Sequence, residues 1–270
     1  MITIAGSDID PIKAIWETEI NTIGVLEVYF AQDDIVPFKK GDKISIVFGE
    51  VGKLGKVTNY EVMKEPKLVT EPKKLIAYEF GQSWFAKRTA IYNGPLSAAI
   101  QQLIMQHETK SVVAIQAGGQ KQYYQGESDI AFLYRLAGNI PVWRDSNGVV
   151  HVEVLPTIEI NDEEIISLET VNTEEYCFIA AGITPDGQVF EVKIGSGIPQ
   201  RIQEVFHSPA EAREFLQKLY KTQNKGKIIC LGRPDIRAGC KVTVQGNTYL
   251  ARKVIHEVSG EKWQCTIYLS

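Results

Sequence analysis

Two blocks of short segments in which apolar and polar residues alternate, separated by a stretch with helical spacing, constrain this chain more than any other feature of its sequence. Side chains on a strand point to opposite faces in turn, whereas those on a helix share a face at three- and four-residue intervals. In the first block, residues 1–92, the segments Val25–Phe30, Lys43–Phe48, Lys56–Val62 and Leu75–Phe80 read as strands. Gly, Pro and Asp turns separate them, which suggests a small barrel or sandwich. Residues 93–157 change character. Leu96, Ala99, Ile100, Leu103, Ile104 and His107 form one helical stripe behind Asn93-Gly94-Pro95, and Phe132, Leu133, Leu136 and Ala137 form a second. Ser128 is placed to cap the second helix, Asp129 to favour its positive end and Gly138 to stop it. Asn147-Gly148, between Val142–Arg144 and Val149–Val154, predicts a hairpin whose tight turn needs positive φ at both central residues.

The β pattern returns over residues 158–270. Glu175–Ala181 and Val189–Ile194 flank a Pro185-Asp186-Gly187 turn. Ser208-Pro209-Ala210-Glu211 is a capping box that opens a helix with Ala212, Phe215, Leu216 and Leu219 on its apolar side. Gly239–Val244, Tyr249–His256 and Lys262–Leu269 read as three antiparallel strands. The expected fold is therefore mixed β with an α/β insert. Two barrel-like β domains, 1–92 and 158–270, flank a small α/β domain, 93–157.

Bulk properties exclude several function classes. A length of 270 residues suits about two domains, and 44% hydrophobic with 23% charged residues is ordinary for a globular chain. The formal net charge of −4 argues against a general nucleic-acid binder, which carries a basic surplus. No apolar run is long enough to span a membrane as a helix. Met1–Asp10 lacks the basic-then-apolar order of a signal peptide, so assembly in the bacterial cytoplasm is expected. Cys177, Cys230, Cys240 and Cys265 form no CxxC pair and are expected as buried free thiols.

A catalytic constellation is hard to find. His107, His151, His207 and His256 show no metal-ligand spacing; His151 and Glu153 share one side of a strand, which a solvated sheet face explains as well as an acid/base or metal pair. His107 extends a helix stripe and His256 alternates with Val254 and Val258, so both read as packed residues. Gly195-Ser196-Gly197 is a bend rather than a nucleophile elbow. Gly49–Lys56 has spaced glycines and two lysines but not the phosphate-loop order, and it reads as a hairpin loop. Asp33-Asp34 and Glu163-Glu164 sit in polar turns, where adjacent acids are usually just solvated; a glycosidase would set two carboxylates across a cleft, which the sequence leaves open. Tyr123, Tyr124, Trp143 and Trp263 could line a carbohydrate site, but such residues more often fill cores and interfaces. No catalytic residue, metal ligand or cofactor site is assigned.

Two segments together carry a resemblance. Tyr123-Tyr-Gln-Gly-Glu-Ser-Asp-Ile-Ala-Phe-Leu-Tyr-Arg-Leu-Ala137, followed by Trp143 and the Asn147-Gly148 hairpin, resembles the "Q-x-x-E-S-D-x-x-F-L-x-R-L-A" stretch of phage late control protein D. The same stretch occurs in the hub half of type VI secretion spike proteins. Gly126 ahead of Glu127 is a small departure from that pattern. Ser208–Arg213, Leu231-Gly-Arg-Pro-Asp-Ile-Arg-Ala-Gly239, Val254-Ile-His256 and the last strand are similar to the family's C-terminal block. The match covers roughly half the chain, and the first 90 residues match by β character alone.

The resemblance implies two related β-barrel tube domains around the α/β insert. It also implies a homotrimer that adapts a threefold spike to a sixfold tail tube, with a tail tube protein, a separate spike protein and other baseplate proteins as partners. Val25–Phe30 and Ile44–Phe48 are candidates for strands buried twice, once in a barrel and once against a neighbouring chain. The family reading is a structural baseplate hub without turnover, in a virion tail or injection particle. The alternative is a tail-associated protein that binds or cleaves cell-wall glycan, with Trp143, Tyr123 and His151 lining a cleft.

Overall fold

A computed structural model describes residues 2–50, 53–65, 73–108, 110–115, 118–145, 147–170, 176–221 and 225–270. The first strands are β1 (Ile2–Ile4), β2 (Lys13–Glu19), β3 (Thr22–Phe30), β4 (Lys43–Glu50), β5 (Lys53–Lys64) and β6 (Lys73–Tyr78). Then come β7 (Ala90–Gly94), α1 (Leu96–Ile104), β8 (Ser111–Val113), β9 (Lys121–Gln125), α2 (Asp129–Ala137), β10 (Val142–Arg144) and β11 (Val150–Val152). β12 (Thr157–Glu159) and β13 (Ile165–Thr170) lead to β14 (Tyr176–Ile183), β15 (Val189–Gly195), β16 (Ile198–Arg201) and α3 (Pro209–Lys221). The last strands are β17 (Gly226–Leu231), β18 (Lys241–Val244), β19 (Asn247–Ser259) and β20 (Lys262–Leu269). The chain divides into two compact units, one of Met1–Ser167 with Ile229–Ile267, the other of Leu168–Ile228 with Tyr268–Ser270.

The main sheet runs β1-β4-β5-β6-β3-β2-β19-β20-β17-β13, with β18 beside β19 and β12 beside β18. Alternation decides which face of each strand is buried: Leu26, Val28 and Phe30 of β3, Ile44, Ile46 and Phe48 of β4, and Leu75 and Ala77 of β6 point into one core. Each of these side chains except Ala77 contributes roughly 1.5–3 kcal/mol when fully buried. The other face of β3 is mixed, with Ile23, Val25, Glu27 and Tyr29 half-buried. Glu27 there pairs with Lys74 at 2.6 Å and accepts from Tyr29 at 2.7 Å. Within this chain, then, Val25–Phe30 buries one face fully and leaves the other, mixed face half-buried.

The join between the two β blocks departs from expectation. β2 lies between β3 and β19, so Trp16 stands opposite Leu26 on one side and His256 on the other. The strands of both blocks thus share one open sheet, and no sheet closes into a barrel among the described residues. Alternation sets a strand's buried face but leaves its partner open, which is why the sequence pattern reads as two separate domains. β2 itself, with Ala14, Trp16 and Thr18 inward, is missing from the sequence reading although it alternates regularly.

In the α/β part, Ala99, Ile100, Leu103 and Ile104 of α1 and Phe132 and Leu133 of α2 bury against Phe80 and Trp84. α1 ends at Ile104, so His107 lies in the turn beyond it and not on the helix stripe. The Ser128 hydroxyl accepts from the Ala131 amide at 3.4 Å, and Gly138 closes α2 at φ +63°. Ser128→Ala should cost about 1 kcal/mol of stability, read as a shift of the urea midpoint at unchanged slope. The β10–β11 hairpin is wider than predicted. Arg144 pairs with Val150, and of Asn147 and Gly148 only Gly148 has positive φ (+80°). The Asp145 carboxylate holds that loop by accepting from the Asn147 and Val149 amides at 2.8 and 2.9 Å. The turn with two positive φ values is instead Gln245-Gly246, at +48° and +77°, between β18 and β19.

The second unit is a three-stranded sheet, β15-β14-β16, with α3 on one face. Ala180, Val192, Phe206, Ala212 and Leu216 form its core. Half of the capping box forms: the Glu211 amide donates to Ser208 Oγ at 3.2 Å, whereas the Glu211 carboxylate accepts from the His207 amide, one residue ahead of the cap, at 3.0 Å. Gly187, at φ +87°, donates to the Thr184 carbonyl at 2.9 Å and closes the Pro185-Asp186-Gly187 turn.

Candidate functional site

The Tyr123–Ala137 segment and the Leu231–Gly239 and Val254–His256 parts of the second block are built into polar networks of the first unit, whereas Ser208–Arg213 opens α3 in the second unit. In the Tyr123–Ala137 segment, Asp129 is fully buried at the start of α2. Its Oδ2 accepts from Arg88 Nε and meets His107 Nε2, each at 2.8 Å, and its Oδ1 accepts from Gln125 Nε2 at 2.6 Å. Arg88 also donates to Gln106 (2.7 Å), Gln106 to the Tyr92 hydroxyl (2.9 Å), and Tyr92 to Gln125 (3.2 Å). The bonds form a closed ring that ties β7, β9, α2 and the turn after α1 together. His107 is stacked on Trp84 at 4.1 Å and reaches Ser83 at 3.2 Å. Arg135 clasps Glu127 at 2.7 Å and the Tyr124 carbonyl at 2.6 Å. Gln125, Glu127, Ser128, Asp129 and Arg135 therefore hold structure, and a buried carboxylate needs such partners.

The second segment does the same work. Gly232 approaches the Trp263 indole so closely that a Cβ would lie 2.0 Å from it, and Gly239, at φ +96°, would place one 2.3 Å from Pro141. Arg233 donates to Asp235 at 3.0 and 2.8 Å and to Glu164 at 2.8 Å, which gives Glu164 a structural role. His256 is fully buried. Its Nε2 donates to the Ile236 carbonyl at 2.8 Å and its ring stacks on Trp16 at 4.8 Å. Burial, reinforced by the nearby Arg237 charge, pushes its pKa down to about 4 despite the Ile236 carbonyl. The ring is therefore neutral near neutral pH. Trp263 is core, edge-on to Phe48 at 5.2 Å, and not a carbohydrate platform.

Between these networks lies a cleft of about 550 Å³. Its lining includes Trp16, Tyr60, Trp143, Arg144, Asp145, Glu153, Asp235 and Arg237. That is the size of a ligand pocket. Glu79, buried below it, accepts from the Arg144 amide at 2.8 Å and from Arg237 Nη2 at 3.0 Å. Arg144 also pairs with Glu108 and donates to the Asn59 carbonyl at 3.2 Å. The Tyr60 hydroxyl accepts from Trp16 Nε1 at 2.9 Å. Burial, with Glu79 nearby, raises its pKa far above the ordinary value, so it stays protonated.

The cleft does not offer a sugar platform. Arg237 lies 4.6 Å over the Trp143 ring and His151 stacks on the same ring at 4.0 Å. Trp16 is likewise placed against His256, with Arg237 5.6 Å from its ring. Tyr123 sits on β9 opposite Tyr92 and does not line this cleft. Of the three residues of the glycan reading, Trp143 and His151 are therefore brought together and Tyr123 is not.

His151 and Glu153 do meet, at 2.7 Å, with Asp145 at 3.2 Å on the other ring nitrogen. Among the described residues no group of His, Cys, Asp and Glu side chains has the geometry to hold a metal ion. Asp34 caps its own turn through the Ala31 amide at 2.9 Å, and Glu163 is exposed in a short turn. Gly49–Lys56 belongs to the antiparallel β4–β5 pair, with Gly52 outside the described residues. The four cysteines are free, three of them buried and Cys177 half-buried. No described helix is long and apolar enough to cross a membrane. Glu79, Arg144 and Arg237 escaped the sequence reading. For Glu79 the signal was a single charge at an apolar strand end, Tyr78-Glu79-Phe80.

No protein-family model and no curated protein matches the chain. Solved structures do. The 43 kDa tail protein of prophage MuSo2 from Shewanella oneidensis aligns over 100% of this chain and 97% of its own, with TM-score 0.66 and 13% identity. A tail protein from Neisseria meningitidis aligns over 99% and 95%, with TM-score 0.64 and 11% identity. A type VI secretion component of Escherichia coli, c3393, aligns over 100% and 76%, with TM-score 0.60 and 12% identity. From end to end, this chain has the fold of these phage tail and type VI secretion proteins.

Proposed function

We propose that the chain is a structural subunit of the baseplate hub of a contractile phage tail or related injection system. It works as a homotrimer that joins a sixfold tail tube to a threefold spike. The observation that carries this reading is the likeness to a tail protein over the whole of both chains. A second support is that both family-like segments spend their polar residues on internal bonds, as a scaffold would. In this reading residues 1–92 and 158–270 each supply a tube-wall element around the 93–157 insert, and the sheet that gathers strands from both blocks makes such a wall plausible on physical grounds. Three chains then present six wall elements, and ring closure covers strand edges that would otherwise stay open. The partners are the tail tube protein, a separate spike protein and neighbouring baseplate proteins. The place of action is the virion tail or particle, after assembly in the cytoplasm.

Native mass measurement and sedimentation of the purified chain test it. A species of three times 30.2 kDa, or a ring formed on adding tube and spike proteins, is expected. Such obligate interfaces bury about 2,000 Å² or more. A chain that stays monomeric at high concentration and binds neither partner overturns the reading.

A further inference from the structure

The β10–β11 hairpin carries a row of groups that no assembly role requires. Glu79 accepts from Arg237, and the Arg237 guanidinium covers one face of Trp143 at 4.6 Å. The His151 ring stacks on Trp143 at 4.0 Å, with 12° between the planes. His151 Nδ1 then meets Glu153 Oε1 at 2.7 Å, and Nε2 meets Asp145 Oδ2 at 3.2 Å. A neutral imidazole has one N–H and one lone pair, whereas the imidazolium donates from both nitrogens. Two carboxylates on the two ring nitrogens are matched together only by the imidazolium. The alternative, a proton on a carboxyl group, does not suit Asp145. Burial raises its pKa, but the Val149 amide, His151 and the Asn147 amide outweigh that and hold it below the ordinary carboxylate range.

The charged groups around the ring are few. Asp145 comes from the hairpin loop, Glu153 from the end of β11, and Arg237 acts through Trp143. Arg144, next along β10, lies on the opposite face of that strand, and β8 brings Val112 opposite His151. Trp143, Asp145 and Glu153 all line the cleft.

We propose that His151 is a proton-dependent latch. As imidazolium it ties Asp145 to Glu153 and offsets one of their two negative charges, and on losing one proton it releases one carboxylate into the cleft. Its proton exchanges with water, and no other bond is made or broken. Imidazole is the side chain whose ordinary charge change falls between about pH 5 and 8.

A double-mutant cycle with His151→Gln, Glu153→Gln and the double variant, by urea unfolding at about pH 5.5 and about pH 8.5, tests this. The expected result is a His151–Glu153 coupling worth several-fold in the unfolding constant at the lower pH that is lost at the higher. Nitrogen NMR of the wild-type ring supplies an independent reading, with two protonated nitrogens at the lower pH and one at the higher. Equal coupling at both pH values, or a ring with one protonated nitrogen at the lower pH, overturns the proposal.

Discussion

Asp129→Ala is expected to remove about 3–5 kcal/mol of stability, the largest loss from any single polar substitution in the first unit. Asp129 is fully buried and is the acceptor for Arg88, His107 and Gln125. Removing it leaves the Arg88 charge without its partner and two buried donors unmatched. The cost is that of desolvated groups without partners, not only that of lost bonds. Asp129→Asn keeps the volume and one acceptor oxygen but loses the charge that holds Arg88, so it should fall between the alanine variant and the natural chain. Urea unfolding at pH 7 measures both. A loss under about 1 kcal/mol for Asp129→Ala would mean that the ring of bonds through Gln106, Tyr92 and Gln125 re-forms without the carboxylate.

The second large effect is loss of stability in mild acid. The pKa of His256 is about 4 in the folded chain, against about 6.5 for an exposed imidazole. Between those values the unfolded chain binds a proton that the folded chain does not. The contribution is therefore complete above about pH 6.5 and falls away as pH drops towards 4, by about 3 kcal/mol in all. Physically, protonation at Nδ1 would place a charge among Trp16, Trp263 and Arg237, where that nitrogen has no hydrogen-bond partner among the described residues. His256→Asn offers the Ile236 carbonyl an amide donor but does not titrate, so its stability should be flatter over the same range. The depressed carboxylates Asp145 and Asp235 act the same way, but below about pH 4. Identical pH profiles for the two proteins between pH 4 and 6.5 would rule out His256 as the cause.

Much of the local structure was legible because it depends on neighbours in sequence. Ser128 and Ser208 cap helices because a hydroxyl at that position reaches free amides two or three residues on. The buried faces of Leu26–Phe30 and Ile44–Phe48 follow from alternation alone. The Asn147-Gly148 turn was misread because the Asp145 side chain, not the backbone type, organises that loop. His107 was assigned to a helix that stops one residue after Leu103, although its buried state was read correctly, because Asp129 and Trp84 hold it from other elements. The cleft was partly visible through Trp143. Its charged floor was not, since Glu79, Arg144 and Arg237 are far apart in sequence and meet only in the folded chain.

By itself, then, the sequence determined where strands and helices lie, which of their faces are apolar, and which segments resemble a tail-protein pattern, all of which rest on short-range periodicity and turn chemistry. Only the tertiary structure decided that β2 pairs with β19, so that both β blocks share one sheet, and that the family-like acids and arginines point inward as mutual partners. The reason is physical. Strand partners and buried charge pairs are chosen by competition among all possible long-range pairings, and no local pattern encodes that choice.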